Sequence, residues 1–153
     1  MSDIVKQEID IAAPIERVYR ALTDHEEFGS WFGVKCTAPF ECGKFAQGTV
    51  SFRGEEFPLS FRVIAMDSPD FFSFTWHPYA VDKSIDYSDE IPTLVEFRLK
   101  ETGGGTHLTV TESGFDAIPP ARRAEAFRMN NHGWEIQTHN IKEHIEGVES
   151  DPA

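Results

Sequence analysis

PPARRAEAFRMNNHGWEIQTHNIKEHIEG, residues 119–147, is the stretch on which the fold turns. Its two prolines stand where a helix can begin without losing a hydrogen bond, and its last glycine stands where one can end. Between them about 27 residues, roughly 40 Å of helix, run unbroken. One stripe recurs every seven positions: Phe127, Trp134, Ile141 and Val148. Asn131, Thr138 and Ile145 follow four residues on, with Ala124 leading.

Upstream, Thr102-Gly103-Gly104-Gly105-Thr106 reads as a hairpin turn. Before it Val95, Phe97 and Leu99 alternate with Glu96, Arg98 and Lys100; after it Leu108, Val110 and Glu112 alternate with His107, Thr109 and Thr111. The same period sets Phe72, Phe74 and Trp76 against Phe71, Ser73 and Thr75. It also sets Phe57, Leu59, Phe61, Val63 and Ala65 against Pro58, Ser60 and Arg62. Arg53-Gly54-Glu55-Glu56 and Ser68-Pro69-Asp70 read as turns, and residues 78–92 as an acidic loop with Asp82, Asp86, Asp89 and Glu90. At the front, Val5, Gln7, Ile9 and Ile11 share one face of a strand. Pro14 then opens a helix whose apolar side is Ile15, Val18, Tyr19 and Leu22. Thr23 or Asp24 caps a short second helix carrying Phe28, Trp31 and Phe32 up to Gly33. This is an α+β order, in which a strongly curved antiparallel sheet wraps the final helix.

The 153 residues, 40% hydrophobic and 26% charged, predict one globular domain over 1–153, with its core at 3–147 and a frayed tail at 149–153. A chain this long buries roughly 70% of its unfolded surface, so it needs neither disulfides nor metal to fold. Apolar runs are short and the N-terminus lacks a secretory pattern, so we expect no membrane span and a cytoplasmic location. The net charge of −12 divides into −5 over residues 1–77 and −7 over 78–153. Neither half is basic, which excludes nucleic acid and anionic membranes as partners and favours an apolar, neutral or cationic one. Thirteen Phe, three Trp and three Tyr are enough to fill a core and also line a pocket.

Metal and cofactor chemistry find no support in the motifs. His132, His139 and His144 lie on the last helix at steps of seven and five, which do not give the i, i+4 ligand pair. Cys36 and Cys42 have no second pair to complete a zinc site and are expected to stay reduced. No G-x-S-x-G surrounds Ser113, and Gly103-Gly104-Gly105 joins two strands instead of opening a helix, so no phosphate loop is expected. We therefore predict no metal and no cofactor.

Polar residues at apolar positions are the better leads. Asn131 and Thr138 fall on the stripe of the last helix, and Glu112 and Gln7 on inward strand faces. Buried polar groups need partners or cost about 1–3 kcal/mol each. Such groups can orient a ligand, or they can bind backbone or water. A carboxylate at Glu112 beside Trp76, Phe97 and Trp134 would hold its proton to higher pH and could act as acid or base, with His77 as a companion.

Taken together, the residues resemble a known family. Ala13-Pro14-Ile15-Glu16-Arg17-Val18-Tyr19-Arg20-Ala21-Leu22-Thr23-Asp24 with Trp31-Phe32 is similar to the opening of the domain homologous to the activator of the heat-shock protein 90 ATPase. Gly104-Gly105-Thr106-His107-Leu108-Thr109-Val110-Thr111-Glu112-Ser113-Gly114-Phe115 and Gly133-Trp134 are similar to its closing half. The resemblance implies the START-like, Bet v-like (SRPBCC) superfamily, a helix-grip fold and an apolar cavity between sheet and final helix. We accordingly expect a binding module for an apolar or aromatic small molecule. It would enter past Trp31, Phe32 and the 78–92 loop and meet Trp76, Phe97, Phe127 and Trp134, with Asn131, Thr138 and Glu112 orienting it. Two alternatives stand beside it: a chaperone-regulating interaction protein, and a cyclase- or hydrolase-type enzyme using Glu112. The chain would act as a monomer or homodimer.

Overall fold

The computed structural model describes residues 4–78, 84 and 86–150. Strand β1 (Val5–Ile11) leads into helices α1 (Ile15–Thr23) and α2 (His25–Phe32). Strands β2 (Val34–Cys36), β3 (Phe45–Phe52), β4 (Glu55–Asp67), β5 (Phe71–Trp76), β6 (Thr93–Thr102) and β7 (Gly105–Ser113) follow, and helix α3 (Pro120–Ser150) closes the chain. The strands form one sheet in the order β1-β7-β6-β5-β4-β3-β2, every neighbour antiparallel. The first strand therefore pairs with the last, Val5 opposite Glu112 and Ile11 opposite Thr106.

Local chemistry explains the joints. Asp24 caps α2 by accepting from the backbone N–H of Glu26 and Glu27. Thr23 belongs to α1 instead, its hydroxyl donating to Tyr19 O. Gly33 ends α2 at φ 90, a left-handed conformation that favours glycine. Arg53 and Gly54, both at positive φ, make the two-residue turn between β3 and β4. A bulge between Val63 and Ala65 shifts the β4–β5 register, so Ile64 is exposed and Met66 packs on the core.

The long helix differs from its sequence reading in extent and rotation. It continues past Gly147 to Ser150, so the expected stop is absent; residues 151–153 of the expected frayed tail lie outside the described set. Its buried line is Ala126, Trp134, Thr138, Ile141 and Ile145, whereas Ala124 is exposed. At 3.6 residues per turn, a seven-residue repeat drifts by about 20° around the axis, so a stripe drawn by heptads walks off the buried face. Beneath the helix an aromatic core of Phe28, Phe61, Phe72, Phe74 and Phe97 fills the concave side of the sheet. No helix is long and apolar enough to cross a membrane among the described residues.

Candidate functional site

Glu112 follows Thr106, Leu108 and Val110 on the inward face of β7 and is fully buried. Its cross-strand neighbours are Val5 on β1 and Val95 on β6. One carboxylate oxygen accepts from Trp76 Nε1 at 2.8 Å and Thr93 Oγ1 at 2.5 Å. The other accepts from Trp134 Nε1 and Asn130 Nδ2, both at 2.9 Å. Four donors from β5, β6 and α3 thus converge on one group and tie the helix to the sheet. Each oxygen holds two donors within a buried centre, so the carboxylate clamps helix to sheet.

Beside this clamp lies an open cleft of about 560 Å³. Phe32 from the end of α2, Val50 from β3, Phe57 and Leu59 from β4, Trp76 from β5 and Met129 from α3 supply its apolar surface. Ser51, Ser60, His77, Asp86, Tyr87 and Asn130 are its polar lining residues. A smaller hollow of about 150 Å³ shares Phe32, Trp76 and Asn130 with it and reaches Trp134 and Gln137. Trp76 and Asn130 therefore belong both to the clamp and to the cleft.

The loop that follows β5 is fastened to α3. Arg122 forks onto the Glu90 carboxylate with Nε at 3.0 and 3.1 Å, donates to Pro78 O at 2.9 Å and lies 4.6 Å from the centre of the Tyr87 ring. Asp86 accepts from Ser88 N at 2.9 Å, and hydrogen bonds from Ser88 hold its carboxyl below the usual range. Burial pushes the His77 imidazole down from its ordinary value, and the Arg122 charge adds to this while Glu90 and Asp86 oppose it. The His77 Nδ1 atom is buried with no hydrogen-bond partner. Asp82, expected in this loop, lies outside the described residues.

The expected site residues separate into three groups. Phe32 and Trp76 line the cleft, and Trp134 lines the smaller hollow. Trp31 is no rim residue: it is buried, with Nε1 donating to Ala21 O at 2.7 Å, because its side of α2 faces Phe28 and the core. Phe97 sits in the core against Phe72 and edge-on to Trp134. Phe127 packs edge-on to Phe115, away from the cleft lining. Thr138 is buried, but its hydroxyl donates within its own helix to Glu135 O. Asn131 is exposed and accepts from Gln7 Nε2 at 3.1 Å on the outside. Viewed down the axis, residue 130 lies about 40° from Trp134 and residue 131 about 60° on the other side, so the neighbour takes the inward place. Phe57 and Leu59 were legible only as one face of a strand, Val50 and Met129 carried no signal, and the heptad stripe selected Asn131 over Asn130.

A curved antiparallel sheet gripping a long C-terminal helix, with two short helices at the front, is the helix-grip architecture of START-like, Bet v-like (SRPBCC) domains. The chain belongs to the Activator of Hsp90 ATPase homolog 1-like family, whose sequence profile matches residues 12–146. Among solved structures, a Mesorhizobium loti protein superposes with TM-score 0.73 at 24% identity, over 95% of this chain and 98% of its own. A Nitrosomonas europaea protein gives TM-score 0.72 at 21% identity over 95% of each chain. An Arthrobacter aurescens protein gives TM-score 0.79 at 16% identity, over 95% of this chain and 87% of its own. At these identities the likeness shows the fold. Comparison with curated proteins found no match.

Proposed function

We propose that this protein is a small-molecule-binding START-like domain that holds an apolar or aromatic ligand in the cleft beside Trp76. The observation that carries the reading is the cleft itself: about 560 Å³ lined by Phe32, Val50, Phe57, Leu59, Trp76 and Met129, with a few polar groups at one side. That volume suits a drug-sized molecule, and a mostly apolar lining with sparse polar anchors is the usual composition of such sites. The Glu112 clamp supports it from behind by fixing the Trp76 ring and the Asn130 amide. The site lies toward the β3–β4 end of the sheet, because Trp134 fills the space over the centre. The reading carries with it a cytoplasmic protein whose free Cys36 and Cys42 stay reduced. Family kinship also accommodates a chaperone partner, but the cleft favours the small molecule.

Nile red, a neutral apolar dye, supplies the test. Its emission should rise and saturate with added protein, and Leu59→Trp, which fills the cleft, should weaken binding about tenfold or more. Saturable binding that is unchanged in Leu59→Trp, or no saturable binding to the wild-type protein, would overturn the assignment.

A further inference from the structure

The Ser51, Ser60 and Tyr87 hydroxyls and the His77 ring of the cleft can donate or accept, whereas its remaining polar groups favour a donor on the guest, and the following inference rests on the cleft being the binding site. Glu112 only accepts hydrogen bonds when ionised, so the Asn130 amide must present its nitrogen to it, as it does at 2.9 Å. The acceptor oxygen Oδ1 of Asn130 is then the end left to a neighbour in the cleft. The indole N–H of Trp76 is held by Glu112 at 2.8 Å and is not turned to a guest. Pro78 O, which could serve a donor, is held by Arg122. Asp86 adds an exposed carboxylate at the cleft. Among the described lining residues there is neither lysine nor arginine. Arg122 stands beyond the Tyr87 ring with its fork on Glu90. The aromatic faces of Phe32, Phe57, Trp76 and Tyr87 attract cations and repel anions through their quadrupoles.

We propose that the cleft selects an aromatic or apolar molecule whose polar end is a hydrogen-bond donor, above all a protonated amine, and discriminates against the matching carboxylate. Asp86 supplies the charge and Asn130 Oδ1 the directed acceptor. The excess of negative charge over the whole chain acts in the same direction at long range.

Three probes of one shape test this: 1-naphthalenemethylamine, 1-naphthalenemethanol and 1-naphthoate, each displacing Nile red at pH 7 and low salt. The amine should displace the dye at a concentration roughly fivefold or more below the carboxylate, the size of one exposed ion pair or hydrogen bond. That ratio should fall toward one in Asp86→Asn, an exposed position where folding is not at stake, and should fall also in Asn130→Ala. Equal or tighter displacement by the carboxylate overturns the charge preference while saturable Nile red binding still upholds the cleft. An unchanged ratio in both variants overturns the assigned residues. Failure of Nile red and of all three probes to bind removes the cleft reading and this inference together.

Discussion

At the scale of single residues, Glu112 has the largest consequence. A carboxylate with no solvent exposure survives only if donors replace its water, and Trp76, Thr93, Asn130 and Trp134 do so. Glu112→Gln keeps the shape but turns an amide N–H₂ toward two of those donors. It should therefore lower stability by about 3 kcal/mol, seen as a shift of the urea midpoint. A loss below about 1 kcal/mol would mean that the four bonds contribute far less than their geometry implies. The clamp was half legible in the sequence: the alternation of β7 put Glu112 inward, and the two tryptophans were expected beside it. Its other two partners were not: Thr93 carries no signal at the start of β6, and Asn130 and Asn131 are the same residue type side by side, distinguished only by the helix rotation.

At the scale of elements, the short strand β2 depends on a glycine. Gly48 on β3 stands opposite Cys36, and a Cβ there would come within 2.5 Å of the Lys35 carbonyl oxygen and 2.9 Å of a Val34 methyl. The obstacle is backbone, so relief requires the strand itself to move. Gly48→Ala should cost about 1–3 kcal/mol in chemical denaturation and loosen β2, seen as faster amide exchange at Val34 to Cys36. Unchanged exchange and stability would show that the edge accommodates a methyl group. The three-residue β2 was not foreseen, because a segment that short has no periodicity to read. The hairpins, by contrast, were plain from Gly54, which takes a positive φ, and from the Gly103-Gly104-Gly105 run between two alternating segments, signals that are local in the chain.

At the scale of the whole molecule, polar bonds join β1 to β7 and tie the second half of α3 to β1 and α2. His107 on β7 meets Asp10 at 2.7 Å and Glu8 at 2.9 Å on β1. Lys142 and Glu146 on α3 reach Asp10 O and Ala12 N, and His144 meets Glu27 at 3.0 Å. The carboxylates Glu8 and Asp10 raise the His107 pKa, so its stabilisation is full below about 6.5 and is lost as pH rises through the folded value. His107→Gln should consequently be less stable than wild type at mildly acidic pH and equal to it on the alkaline side. A deficit that grew with pH would contradict the assignment. Glu27 behaves oppositely. Burial pushes its pKa up, but hydrogen bonds from His144, Arg17 and Arg20 outweigh this, so its contribution is lost as pH falls through a value below the usual one.

The order of the helices and longer strands, the antiparallel alternation and the capping of α2 followed from sequence alone, because each rests on periodicity or on residues close together along the chain, and the family followed from the resemblance of its motifs. The position of the cleft did not. It depends on how far α3 is rotated and on which aromatic rings interlock over the sheet: Trp134 fills the centre against Trp76 and Phe97 and leaves the open volume beside β3 and β4. A helix rotation of a few tens of degrees exchanges Asn131 for Asn130 without altering the hydrophobic pattern. Only packing between elements distant in the chain could decide it.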